Sequence, residues 1–158
     1  MAARTPEPRG LTEADLSRVV EIERHTFSDP WSRNAFLETM ARDEVRGFAL
    51  EDDRGLLVGY GLCVIAADEG EILNLAVDPG CRRSGLGRQL VGTMLDWLRK
   101  AGAGRVYLEV RQSNLPAIGL YRSLGFETMG SRRGYYTHPR EDAVTMGLDV
   151  TQNTARKW

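Results

Sequence analysis

A chain of 158 residues, 42% of them apolar, fits one domain with a substantial core and leaves little room for a second. Its 21 basic and 22 acidic residues give a net charge of −1, which excludes an overall electrostatic pull toward nucleic acid or an anionic membrane and leaves only a local basic patch open. No apolar run approaches the roughly 20 residues that span a bilayer, and MAARTPEPRG at the start lacks the apolar segment of a secretory signal, so the expectation is a cytoplasmic protein.

Residues 1–10, with Pro6 and Pro8, read as a flexible lead-in to a single domain over 11–150, and 151–158 as a flexible tail. Thr12 and Asp15 form a capping signal ahead of Leu16, Val19, Val20 and Phe27 at helical spacing. Ser28-Asp29-Pro30-Trp31 breaks that helix, and Ser32 caps a second one carrying Phe36, Leu37 and Met40. VRGFALE and LLVGYGLCVIA flank the turn Asp52 to Gly55 as an antiparallel hairpin, and Ile72 to Val77 follows as a third strand. Leu86, Leu90, Val91, Met94, Leu95 and Leu98 then line one helix face that stops near Gly102. RVYLEV, Arg105 to Val110, closes a strand–helix–strand crossover, for which parallel pairing is the natural outcome. A short helix opens at Asn114 and Pro116 and ends at Gly125. Phe126 to Ser131 and Ala143 to Val150 complete the sheet as a hairpin with a long polar connection holding Tyr135 and Tyr136. Two helices are thus expected before any strand, in the order ααβββαβαββ: an α/β (α+β) fold with about six strands and four helices.

The stretch Glu71 to Leu98 carries the first chemical signal. In Arg82-Arg83-Ser84-Gly85-Leu86-Gly87-Arg88 two glycines let backbone N–H groups converge at the positive end of the following helix, with arginines to add charge. That is a cradle for an anion such as a diphosphate. Spacing does not say which arginine points inward. No Gly-Lys-Ser or Gly-Lys-Thr makes it a Walker loop, and a third spaced glycine of the dinucleotide fingerprint is missing.

Arg82-x-x-Gly85-x-Gly87, after ILNLAV and Asp78-Pro79, is similar to the acyl-coenzyme A pyrophosphate loop of the GNAT acetyltransferases. The resemblance implies their mostly antiparallel mixed sheet and acetyl-CoA as co-substrate. It implies a strand splayed from its neighbour, with Leu75, Ala76 and Val77 offering backbone groups to the coenzyme and the Val77 N–H to the oxyanion. It also assigns Arg82, Arg83, Ser84, Gly85, Leu86, Gly87, Arg88 and Asn114 to the coenzyme. Asp29-Pro30-Trp31-Ser32, Leu108-Glu109-Val110-Arg111, Asn114, Ala117-Ile118, Leu120-Tyr121, Leu124-Gly125-Phe126 and Arg133-Gly134-Tyr135-Tyr136 together resemble the RimI branch, the bacterial ribosomal-protein-alanine N-acetyltransferases.

Glu109 interrupts an apolar strand on the face opposite Leu108, as a solvated strand-end charge or as a carboxylate on a packed sheet. The resemblance makes it the general base that takes a proton from the substrate ammonium, directly or through water. Tyr121 shares a helix face with Ala117 and Leu124, which suits a core aromatic. By resemblance it is the general acid for the departing thiolate. Asn114 caps its helix, contacts the coenzyme, or both, and Trp31, Tyr135 and Tyr136 by resemblance hold the first residues of a protein N-terminus. A free α-amine, pKa about 7.7 to 8.0, is far more often neutral at pH 7 than lysine at about 10.4, and so suits a lone glutamate base.

The expected partner is therefore the N-terminal segment of a protein, a ribosomal one by resemblance, with no metal, nucleic acid or membrane and a monomer or weak dimer. Neither Cys63 nor Cys81 is given a nucleophilic role. Other readings are acetylation of a small amine or a lysine side chain, a non-catalytic acyl-CoA-binding module, and a nucleotide site at the glycine turn.

Overall fold

The computed structural model describes residues 7–82 and 84–151; Arg83, the first six residues and the tail beyond 151 lie outside the described residues. The elements run β1 (Arg9–Gly10), α1 (Leu16–Thr26), α2 (Arg33–Met40), β2 (Val45–Glu51), β3 (Leu57–Ala66), β4 (Glu69–Val77), α3 (Leu86–Lys100), β5 (Arg105–Arg111), α4 (Leu115–Ser123), β6 (Glu127–Thr137) and β7 (Arg140–Asp149). Seven strands form one sheet in the order β1-β2-β3-β4-β5-β7-β6. The β4–β5 pair is parallel, as the crossover through α3 requires, and every other pair is antiparallel.

Two expectations change. A strand precedes the helices, because Arg9 and Gly10 pair with Ala49 and Phe48. Arg9 is anchored there by Asp15 at 2.8 Å and Glu51 at 2.6 Å, charged contacts that leave no apolar pattern to read. Tyr135 and Tyr136 also lie within β6 rather than in a long connection. The reason is that β6 is an edge strand exposed along most of its length, so it lacks the alternation that marks a half-buried strand.

The sheet is buried on both faces. Leu90, Val91, Met94, Leu95 and Leu98 of α3 and Ile118 and Tyr121 of α4 pack on Ile72, Val106, Leu108 and Val110. Leu16, Val19 and Ile22 of α1 and Phe36 of α2 pack on Ala49, Tyr60, Leu62 and Ala76 on the other face. Each fully buried aliphatic side chain of this kind contributes about 1.5–3 kcal/mol. Close approach of α3 depends on glycines beneath it. A Cβ on Gly59, Gly61 or Gly70 would meet Leu90, Met94 or Leu98 at 3.0, 2.8 and 3.0 Å.

Candidate active site

The parallel pair does not stay paired. β4 and β5 are in register from Glu69↔Arg105 to Ile72↔Leu108, and there the pairing ends although both strands continue. The cause lies on the other side of β4. Leu62 pairs with Asn74 but Cys63 with Ile72, so Leu73 is an extra residue, a β-bulge that bends and twists the strand. The bulge also resets the faces. Ile72, Leu75 and Val77 turn toward α3, whereas Leu73 and Ala76 turn toward α1, as does Asn74, which bonds Glu23.

Beyond the bulge, Asp78 N–H donates to Val58 O at 2.7 Å, which fixes the phase of the ladder. Antiparallel alternation then directs the N–H and C=O of Leu75 and Val77 away from β3, toward the side that β5 has left. Ala76 is the exception among the three expected coenzyme residues. Its backbone groups face β3 and its side chain is buried under α1, so it does not fit that assignment.

A cavity of about 210 Å³ fills the gap between the diverging strands. Glu109, Tyr121, Leu75, Asn114, Trp31 and Tyr136 all line it. Val77 does not, so among the freed backbone N–H groups Leu75, not Val77, shares the cavity with Glu109 and Tyr121.

The anion cradle lies at the far end of the same strand. Asp78 caps a 3-10 turn at Pro79–Cys81, accepting from Gly80 N–H at 2.9 Å, and its other oxygen is held by Arg18 of α1. Gly85 is the N-cap of α3 with φ +80°, a left-handed conformation that disfavours a side chain, and no side chain caps the helix start. The N–H groups of Leu86, Gly87 and Arg88 therefore have no intrahelical acceptor and stand at the positive end of a 15-residue helix. Ser84 Oγ donates to Cys81 O, and Arg82 is exposed. Arg88 reaches across to Ser123 Oγ of α4 at 2.9 Å. Arg83 falls outside the described residues. None of the described loop residues lines the cavity, so the cradle and the cavity stand at separate points along β4.

Glu109 points away from the core face that holds Leu108 and Val110, and its side chain is only 15% exposed. Oε1 forms an ion pair with Arg132 Nε at 3.1 Å. Oε2 is buried and accepts no hydrogen bond from the described residues. Glu71, one strand over, is pushed above the ordinary carboxylate range by its burial and then by the charge of Glu109. The Tyr135 phenol is raised in the same way, first by burial, then by Glu109. Tyr135 itself is half exposed and stands behind Glu109 rather than in the cavity wall.

Tyr121 enters from the opposite wall. Asn114 Oδ1 accepts from Ala117 N–H at 3.3 Å and so starts α4, which carries Tyr121 down to an edge-on contact with Phe126 at 5.6 Å. Burial, and then Tyr136, raise its phenol above the ordinary 10.0, so it stays protonated at neutral pH.

Sequence reasoning missed several residues of the cavity. Glu23, 1% exposed, accepts from Tyr60 Oη at 2.8 Å and from Asn74 Nδ2 at 2.8 and 3.1 Å. Burial raises its carboxyl above the ordinary 4.5, and bonds from Asn74, Tyr60 and the Trp31 N–H offset only part of this. Its signal was a carboxylate at helical spacing from Leu16 and Val19, on the apolar face. Arg111, alternating with Glu109 along β5, carried a similar signal. The bulge at Leu73, and with it the placing of Asn74, left none.

Residues 16–126 match the acetyltransferase (GNAT) family, and the chain belongs to it. Enzymes of this family take acetyl from acetyl-CoA, and the freed edge of β4 with the uncapped helix start suits the pantetheine and diphosphate of that molecule. The ribosomal protein bS18-alanine N-acetyltransferase of Escherichia coli is 38% identical over 143 residues, 89% of this chain and 95% of its own length. The N-alpha-acetyltransferase RimI of Mycobacterium tuberculosis is 39% identical over 145 residues, covering 88% and 89%. A crystal structure of the E. coli ribosomal-protein-S18-alanine N-acetyltransferase superposes with a TM-score of 0.84, at 35% identity and 98% and 99% coverage.

Proposed function

We propose that this chain transfers acetyl from acetyl-CoA to the N-terminal α-amine of a protein, with the N-terminal alanine of ribosomal protein bS18 as the acceptor its relatives suggest. The observation that carries the reading is the cavity between β4 and β5, which Glu109 and Tyr121 enter from opposite walls beside the freed N–H of Leu75. Acetyl-CoA supplies the activated thioester. Glu109 Oε2 accepts the proton that the ammonium must lose before nitrogen can attack, and Leu75 N–H donates to the carbonyl oxygen as charge builds there. Tyr121 gives its proton to the departing sulfur. Leu86, Gly87 and Arg88 N–H groups hold the diphosphate. Trp31, Tyr136 and Asn74 form the acceptor side.

No cysteine serves this chemistry. The Cys63 thiol is buried and pushed up to about 12, and Cys81 lies in the 3-10 turn outside the cavity. Transfer is therefore direct. Both substrates meet in the cytoplasm, the compartment assigned to the protein on this reading. The test is mass spectrometry on two peptides, one starting with a free alanine and one with that amine blocked and a lysine inside. Acetyl on the free alanine is expected, whereas acetyl on the lysine of the blocked peptide at an equal rate would overturn the reading.

A further inference from the structure

Two residues beyond Glu109, on the same face of β5, Arg111 holds together segments that are far apart in the chain. Its Nη1 donates to Pro139 O at 3.0 Å and Glu141 Oε1 at 3.1 Å. Its Nη2 donates to Ser28 Oγ at 3.2 Å, Asp29 Oδ2 at 3.0 Å and His138 O at 3.2 Å. The guanidinium carbon lies 4.3 Å from the centre of the Tyr136 ring. The partners extend the junction. Asp29 also accepts from His138 N–H at 3.2 Å and lies 3.0 Å from His138 Nδ1, and Glu141 Oε2 accepts from Ser113 N–H at 2.6 Å, next to the Asn114 cap.

One side chain, 18% exposed, thus joins the α1–α2 loop, the end of β5 and the β6–β7 turn. These are the segments that carry Asp29, Trp31 and Tyr136 into the cavity wall, and none belongs to the diphosphate side. We propose that Arg111 is a positioning residue that clasps the α1–α2 loop to the β6–β7 turn and so sets the width of the acceptor entrance beside Glu109. A planar fork that bonds five acceptors and stacks on a ring cannot be replaced by the single ammonium of lysine. The acceptor named here rests on the N-terminal acetyltransferase reading; the mechanical coupling does not.

The experiment pairs hydrogen exchange with kinetics on the full chain for Arg111→Ala and Arg111→Lys. In both variants amide exchange is expected to rise together in 27–32 and 133–142, with β4 and α3 unchanged. KM for an alanine-starting peptide should rise about tenfold or more, while KM for acetyl-CoA stays within about twofold. Loosening of only one segment, an equal rise in both KM values, or full recovery with lysine would overturn the clasp. Joint loosening in a protein that acetylates no N-terminus would keep the clasp and sink the acceptor assignment instead. If Arg111→Ala does not fold, Asp29→Asn and Glu141→Gln cut one side of the clasp each, and each must raise KM for the peptide alone.

Discussion

The two sides of β4 are built by different means. On the donor side the groups are backbone N–H atoms of Leu75 and Val77 and of the first turn of α3, placed by one continuous stretch of chain. On the acceptor side they are side chains from α1, β5, α4 and β6, brought together from positions as distant as Glu23 and Tyr136. On the proposed reading, the backbone groups hold the acetyl-CoA and the side chains set which amine is admitted. The two halves should therefore fail separately.

The largest effect is expected on the acceptor side. Glu109→Gln should lower kcat/KM for an alanine-starting peptide roughly 10²- to 10⁴-fold, the usual worth of a positioned base, with acetyl-CoA affinity by calorimetry unchanged. A variant that turns over at the normal rate would remove Glu109 from the mechanism. Tyr121→Phe should cost roughly a hundredfold in kcat, and less with a coenzyme analogue whose thiolate leaves easily. No loss with either thioester would assign Tyr121 to packing against Phe126, a contact that the phenylalanine ring keeps.

The donor side predicts the opposite pattern. Gly85→Ala forces a side chain into a left-handed conformation that costs about 1–2 kcal/mol, so acetyl-CoA should bind some five- to thirtyfold more weakly while KM for the peptide holds. Parallel loss of both affinities would mean that the two halves are not separable.

The difference between the halves also explains what could be read in the sequence. The donor turn is local, and Gly85, Gly87 and the amphipathic α3 announce it within some fifteen residues. Glu109 was legible because strand alternation set it against Leu108 and Val110, and Asn114 because a cap precedes its helix. The seat of Asn74 was not legible: ILNLAV is apolar at every position but Asn74 and so marks no face, and only pairing with β3 shows the extra residue at Leu73. Val77 was expected to serve the oxyanion, a choice that depended on where the strands part. The exposed strand β6 and the two-residue β1 lacked an apolar pattern altogether.

The smallest effect concerns the buried floor of the acceptor side. The folded chain holds the Glu23 proton above the ordinary 4.5, so the stability this group lends is complete below 4.5 and fades as pH rises through its folded value. The advantage in Tm of the wild type over Glu23→Gln should shrink from pH 4.5 toward neutrality. A gap that widens instead would show that the hydrogen bonds from Tyr60 and Asn74 outweigh the burial of the charge.

The central claim is that donor and acceptor occupy the two sides of β4 at the same time. Initial rates with acetyl-CoA and an alanine-starting peptide varied together test it directly. Intersecting double-reciprocal lines, with no acetylated protein detected by mass spectrometry when peptide is omitted, are the predicted result. Parallel lines and an acetyl group trapped on Cys81 would contradict it.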